Sequence, residues 1–149
     1  MPSFDRDFIE SKGCPIIYKG IELVRADRIP VNKEFSGSLR VISTNSERRQ
    51  GVRIEVDGKM SILGHEGYRF ILWADNVIKD GFVNFKGKSK NSILFVYNAW
   101  DFGRGGTDCW QNGAAMIVEV DGNTRRYRCN DFTPDDDFDD IVFEVTIDE

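Results

Sequence analysis

Apolar and polar residues alternate along much of this chain with the two-residue period of a half-buried β-strand. Val52, Ile54 and Val56 alternate with charged residues, and the stretch 141–147 repeats the pattern with Ile, Phe, Val and Ile on one face. Helical periodicity is nearly absent. The stretch from Ser3 to Ser11 alone indicates a short helix, since it places two phenylalanines one turn apart behind a serine that can cap it.

Two Asp-Gly pairs lie between alternating stretches, at Asp57-Gly58 and Asp121-Gly122. This dipeptide favours the tight turn of a β-hairpin, because both central residues of that turn need a positive φ. We therefore predict a hairpin at each pair. Further strands are predicted at 15–18, 21–25, 38–43, 68–73, 81–86, 93–98 and 141–147.

About ten short strands separated by turn signals are typical of an all-β protein. We predict one domain over residues 1–149, an antiparallel β-sandwich of jelly-roll type with one short N-terminal helix. The chain is long enough to bury a core without metal or disulfide bonds.

Two segments interrupt the strand pattern. The first, called the aromatic loop, runs from Trp100 to Gly113, and loops of this length are disproportionately functional. The second, called the acidic segment, is Asn130–Asp140, in which six of eleven residues are Asp. If the Asp121-Gly122 hairpin forms, both segments leave it from the same end. We therefore expect them to form one surface, which requires a positively charged counterpart.

The aromatic loop has the composition of a carbohydrate site. Aromatic rings can stack on sugar faces, while amide and carboxylate groups bond to hydroxyls, and several glycines let the backbone approach a ligand. The alternative is that both tryptophans fill the end of the core. The candidate ligand-binding residues are Trp100, Asp101, Asp108, Trp110, Gln111 and Asn112.

The acidic segment has the composition of a calcium site, because Ca²⁺ takes six to eight oxygen ligands in a flexible loop. Its spacing is not that of an EF-hand. The alternative is a solvated loop, or one paired with Arg125, Arg126 and Arg128 just upstream. The candidate metal ligands are Asn130, Asp131, Asp135, Asp136, Asp137, Asp139 and Asp140.

Charge is segregated along the chain: residues 1–128 carry +4 and residues 129–149 carry −9. This pattern suggests a second kind of function, in which the acidic C-terminal edge binds a basic protein, as an immunity-type inhibitor would. Two short basic stretches exist, but a pI near 5.0 argues against nucleic acid as a partner. The oligomeric state is not predicted.

The sequence offers few residues that are suited to catalysis, and we predict no catalytic residue. The three cysteines are odd in number and widely spaced, and His65 is the single histidine, which argues against a disulfide framework or a Cys/His zinc site. Cys109 and His65 are only weak candidates for a catalytic nucleophile and its general base. No apolar run suits a membrane span and no secretion signal is visible, so we expect a cytoplasmic protein.

Overall fold

The structure, a computed structural model, describes residues 4–101, 103, 106–132 and 136–149. These residues form ten strands and two short helices, which confirms the all-β class. In chain order the elements are α1 Asp5–Glu10, β1 Ile16–Tyr18, β2 Ile21–Leu23, β3 Asp27–Pro30, β4 Glu34–Thr44, β5 Arg49–Ile62, β6 His65–Trp73, α2 Ala74–Asp80, β7 Val83–Asp101, β8 Ala115–Asp121, β9 Thr124–Asn130 and β10 Ile141–Ile147.

β1 and β2 form a small hairpin, and the other strands form one antiparallel sheet in the order β6-β5-β7-β4-β10-β9-β8. The 19-residue β7 is the centre of this sheet. One of its edges pairs with β5, and the other pairs first with β4 and then with β3. The result is a sandwich-like fold.

The main core lies on the inner face predicted by the alternation. The alternating apolar residues of β5 are buried, as are Ile141, Phe143 and Val145 of β10. The Tyr127 ring of β9 stacks on Phe143 with 4.7 Å between ring centroids. Each fully buried side chain of this kind contributes about 1.5–3 kcal/mol to folding.

A second, smaller core attaches the N-terminal helix to the outside of the sheet. Phe4 and Phe8, one turn apart at α1, are both buried, which confirms the helix expected there. Phe138 of the acidic segment packs into the same cluster. The buried members are Phe4, Phe8, Leu23, Ala115, Ile117 and Phe138.

The hairpin predicted at Asp121-Gly122 is confirmed. Asp121 pairs with Thr124, so Gly122 and Asn123 make the two-residue turn between β8 and β9. The turn predicted at Asp57-Gly58 is wrong, because β5 continues through it to Ile62. Gly58 lies instead at an irregularity of the β5–β7 pairing, where a side chain would collide with the Lys88 carbonyl.

The prediction of two separate strands at 81–86 and 93–98 is also wrong, since both stretches belong to β7. The chain does not turn between them; a bulge interrupts the pairing, and the Ser89 hydroxyl accepts a bond from the Ile93 N–H at 3.0 Å. The turn between β5 and β6 lies at Leu63 and Gly64, which have φ values of 52° and 80°.

The sequence pattern did not indicate β3 or the helix α2. In α2 the residues Ala74 and Val77 are buried, and Gly81 ends the helix with a φ of 86°. Neither helix in the described ranges combines the length and apolar character that a membrane span requires.

Candidate functional site

The expected adjacency of the two irregular segments is confirmed. Ala115 pairs with Asn130 where β8 and β9 end. Just beyond, the backbone N–H of Gly113 and the side-chain amide of Asn112 both donate to the Phe132 carbonyl, at 3.2 and 3.1 Å. The aromatic loop and the acidic segment are therefore held together at one end of the sheet.

Asp131 is the most buried carboxylate among the described residues of the acidic segment. Its oxygens accept bonds from the Ser46 hydroxyl at 2.6 Å, the Gln50 amide at 3.0 Å and the Arg48 guanidinium at 3.3 Å. Its own backbone N–H donates to the carboxylate of Asp140 at 2.8 Å. Asp131 is thus compensated inside the protein by one cation and two neutral donors.

Other members of the acidic segment also have internal partners. Asp136 accepts bonds from the Lys19 ammonium at 2.7 Å and from the Tyr18 hydroxyl at 2.9 Å. The bond from Lys19 is the main reason that the pKa of Asp136 falls below its usual range. Asp139 accepts a bond from the Asn45 amide at 2.8 Å.

The remaining candidate metal ligands are dispersed. The side-chain oxygen of Asn130 accepts the backbone N–H of Phe138 at 3.1 Å, Asp137 is exposed, and Asp135 lies outside the described residues. In the part of the chain that the structure describes, no three His, Cys, Asp or Glu side chains are grouped in a way that could hold a metal ion. The calcium hypothesis stays a prediction.

The three arginines just upstream, which the sequence offered as partners of the acidic segment, form ion pairs elsewhere among the described residues. Arg125 pairs with Asp27, Arg126 with Glu144 and Arg128 with Glu119. The arginine that does reach the segment is Arg48, from the connection between β4 and β5.

Four of the six candidate residues in the aromatic loop serve the fold, and one of them is Asn112, whose amide bonds to the Phe132 carbonyl. Trp100 is fully buried in β7, and its backbone N–H and C=O exchange bonds with Asp108 at 2.9 and 2.8 Å. Asp101 accepts the backbone N–H of Gly103 at 2.7 Å. Trp100 therefore fills the core, as the alternative interpretation of the tryptophans proposed.

Trp110 differs from Trp100, because its side chain is half-buried at the protein surface. Its backbone has a φ of 57°, a left-handed conformation that is rare for a bulky residue and costs about 1–3 kcal/mol. Its ring packs on β7, with centroids 4.6 Å from Tyr97 and 6.4 Å from Phe95. Gln111 next to it is exposed.

A cleft of about 300 Å³ lies against Trp110, between α1 and the segment that joins β2 to β3. Arg25 forms its floor: the guanidinium carbon lies 5.0 Å from the centroid of Phe8 and 5.7 Å from that of Trp110. The lining residues are Phe8, Ile9, Lys12, Gly13, Arg25, Ala26, Arg28, Phe95 and Trp110.

Two polar atoms at this cleft are buried without a hydrogen-bond partner among the described residues, namely the indole Nε1 of Trp110 and the Nε of Arg25. The Nη2 of Arg25 donates to the Asp5 carbonyl at 3.3 Å. Burial lowers the pKa of Arg25 from its usual value. Both atoms are shielded from solvent, and buried N–H donors left unbonded cost free energy.

A larger groove of about 660 Å³ crosses β4, β5 and β7 at the other end of β7. Two of its three lysines already have acidic partners, since Lys59 pairs with Glu66 at 2.9 Å and Lys88 with Glu34 at 3.5 Å. These pairs are exposed and can be solvated by water. The Trp110 cleft, although smaller, combines aromatic surface with unsatisfied donors, and is the better candidate site.

Nucleophilic chemistry at Cys109 is not favoured by its surroundings. The thiol is half-buried, and burial raises its pKa above the usual range, which reduces the reactive thiolate at neutral pH. His65 is exposed and begins β6, next to the turn at Leu63 and Gly64.

Comparison with protein-family models, with curated proteins and with solved structures found no match to this chain. What the molecule binds has therefore to be inferred from its own residues. Of the six predicted ligand-binding residues, Trp110 alone lines the described cleft. Sequence patterns did not single out Arg25, Arg28 or Phe95, which the fold brings to it from two other strand regions.

Proposed function

We propose that this protein is a small non-enzymatic binding module whose ligand site is the Trp110 cleft, and that its ligand is a carbohydrate or a similar small polar molecule. One observation carries this proposal: a half-buried tryptophan ring lines an open cleft of small-molecule size, beside Phe95 and the guanidinium of Arg25. Tryptophan offers both an apolar face and a donor, which suits a sugar ring with hydroxyl groups.

The dimensions of the cleft support a small ligand. Its volume of about 300 Å³ lies at the lower end of the range for small-molecule sites. This favours a ligand of monosaccharide or disaccharide size, or the end of a longer chain. The lining also has the usual character of such sites, in which aromatic surface carries a few polar groups that fix the orientation.

Substitution of Trp110 tests the proposal. We expect Trp110→Ala to abolish saccharide binding, and Trp110→Phe to weaken it by about tenfold, since an aromatic ring is retained but its stacking face is smaller. Binding is measured by glycan array, and then by calorimetric titration of the saccharides that bind.

Trp73→Ala is the matched control. Trp73 is also half-buried and also has an arginine over its ring, with the Arg49 guanidinium carbon at 4.5 Å, but it lies on β6 and outside the cleft lining. Thermal unfolding of each variant verifies that it is folded at the titration temperature. Unchanged saccharide binding by a folded Trp110→Ala variant would reject the site.

The two hypotheses for the acidic segment, calcium binding and docking of a basic protein, stay predictions. Asp131, Asp136, Asp139 and Asp140 each accept a hydrogen bond from another residue of the protein. This internal pairing leaves less uncompensated charge for a cation or a basic partner than the sequence suggested. No described contact favours either hypothesis over the cleft.

A further inference from the structure

The electrostatic character of the Trp110 cleft is one-sided. Among the residues that the structure describes, its lining contains Lys12, Arg25 and Arg28 and no Asp or Glu. The whole chain, by contrast, carries a net charge of −5. Two acidic residues lie beside this lining: Asp27 precedes Arg28 and pairs with Arg125, and Asp5 interacts with Arg25, which donates to its backbone carbonyl.

Cations elsewhere in the protein are mostly paired, which makes the cleft unusual. Seven arginines form ion pairs: Arg6, Arg40, Arg48, Arg49, Arg125, Arg126 and Arg128. Four other described arginines, Arg25, Arg28, Arg53 and Arg69, form no ion pair, and two of them, Arg25 and Arg28, line this cleft.

Both cleft arginines are held by aromatic rings. The guanidinium of Arg25 lies over Phe8 and Trp110, and that of Arg28 lies 5.6 Å from the ring centroid of Phe95. A guanidinium stacked on a ring is restrained in position, while its edge still offers N–H donors in a planar fork. That fork matches the oxygens of a carboxylate or a similar oxyanion.

The desolvation of Arg25 also favours an anionic ligand. Its Nε is buried without a bond inside the described structure, and its charge has been partly removed from water. An anion in the cleft would compensate the charge of Arg25, because it carries the opposite charge and accepts hydrogen bonds from the accessible guanidinium edge. A neutral ligand would not compensate the charge.

We propose that the ligand of this cleft is an acidic saccharide, whose oxyanion, a carboxylate or a sulfate ester, is bound by Arg25 and Arg28. This inference rests on the proposed function and names the ligand class. The sugar ring lies against Trp110, and Lys12 adds positive charge at the rim. The oxyanion supplies the affinity and the orientation, whereas ring stacking tolerates many sugars.

The first arm of the test compares ligands that differ only in charge. Glucuronic acid and glucose 6-sulfate, as free sugars and as oligosaccharide ends, are titrated beside glucose by calorimetry. We expect at least one acidic sugar to bind about tenfold or more tightly than glucose. The sugar that binds better identifies the oxyanion.

The second arm removes one cation. Arg28→Gln should weaken binding of the acidic sugar about tenfold more than binding of glucose, and since the side chain is exposed its loss does not disturb the core. Arg69→Gln is the matched control, because Arg69 is also an exposed strand arginine over an aromatic ring, 5.9 Å from the Tyr68 centroid, but lies outside the cleft lining.

The outcomes separate this inference from the proposed function. If glucose binds as tightly as the acidic sugars and Arg28→Gln changes nothing, the inference is overturned while the carbohydrate site stands. If no saccharide binds but benzoate binds in an Arg28-dependent manner, the carbohydrate assignment fails and the anionic character is retained. If neither saccharide nor benzoate binds the wild-type protein, both are wrong.

Discussion

At the scale of single residues, the acidic segment shows that a carboxylate can be part of the fold. The Asp131 side chain is 1% exposed and has donors from three residues of the β4–β5 connection and β5 itself. It therefore joins the end of β9 to a distant part of the chain. Its partner Arg48 is 26% exposed, so this ion pair is only partly screened by water.

Removal of the Asp131 charge tests this structural role. Asp131→Asn should lower the free energy of unfolding by about 3 kcal/mol, because the buried end of Arg48 and two neutral donors lose a charged acceptor. Asp136→Asn is the control, since its pair with Lys19 is exposed and screened by water, and its loss should have a much smaller effect. Urea unfolding midpoints measure both, and equal effects would contradict the buried role of Asp131.

Residue by residue, the sequence identified part of the candidate site. Trp110 was predicted because tryptophan in a long loop is conspicuous in any sequence. Arg25 and Arg28 were not, because an arginine at a cleft and an arginine in a surface ion pair look the same in a sequence. Only the fold shows which arginines meet a carboxylate and which meet Phe8 and Phe95.

At the scale of elements, the long strands β5 and β7 depend on glycine for close packing rather than for turns. A Cβ at Gly58 would collide with the Lys88 carbonyl, and one at Gly87 would meet the carbonyl of Lys59 at 2.5 Å. The two backbones therefore approach closely where the pairing is irregular. This is why Asp57-Gly58, although it has the composition of a hairpin turn, lies within a strand.

Gly58→Ala tests this packing. We expect a loss of about 1–3 kcal/mol in unfolding free energy, because a backbone carbonyl cannot move aside as a flexible side chain can. Gly106→Ala is the control, since nothing lies within 4 Å of a Cβ at that position. Guanidinium unfolding curves would compare the two, and a neutral Gly58→Ala would show that the strands can separate at little cost.

The elements that were predicted well are those with a strong local pattern. β10 was predicted with its observed bounds, since its alternation is regular and its inner face is apolar. The sequence did not predict α2, because the helix has only seven residues. Its two buried residues, Ala74 and Val77, are too few to show a helical hydrophobic pattern. β5 and β7 were divided wrongly because irregular strands and turns use the same glycine-rich sequences.

At the scale of the whole molecule, ion pairs between neighbouring strands make the stability of the protein depend on pH. Glu144 of β10 accepts bonds from Arg40 of β4 at 2.8 Å and from Arg126 of β9 at 2.8 Å. Hydrogen bonding from Arg40, and then from Arg126, lowers the pKa of Glu144 from its ordinary value of 4.5. A carboxyl group with a lower pKa when folded contributes stability above its unfolded pKa, and loses it as the pH falls through the folded value.

Glu144→Gln should therefore destabilise the protein by about 1 kcal/mol at pH 7, where both arginine bonds involve a carboxylate. The difference from wild type should shrink below about pH 4, as Glu144 becomes protonated in both states. Chemical unfolding at pH 7 and pH 3 measures the two differences. An equal difference at both values would mean that the substitution acts through packing and not through charge.

The walls of the Trp110 cleft come from parts of the chain that are far apart in sequence: α1 and the residues just after it, the start of β3, β7 and the aromatic loop. In the unfolded chain, Arg25 and Arg28 are not held beside Trp110. Any occupant consequently has affinity for the native state and none for the disordered chain, so that each tenfold rise in its concentration above saturation adds about 1.4 kcal/mol to stability. A ligand of this protein is also an aid to its folding.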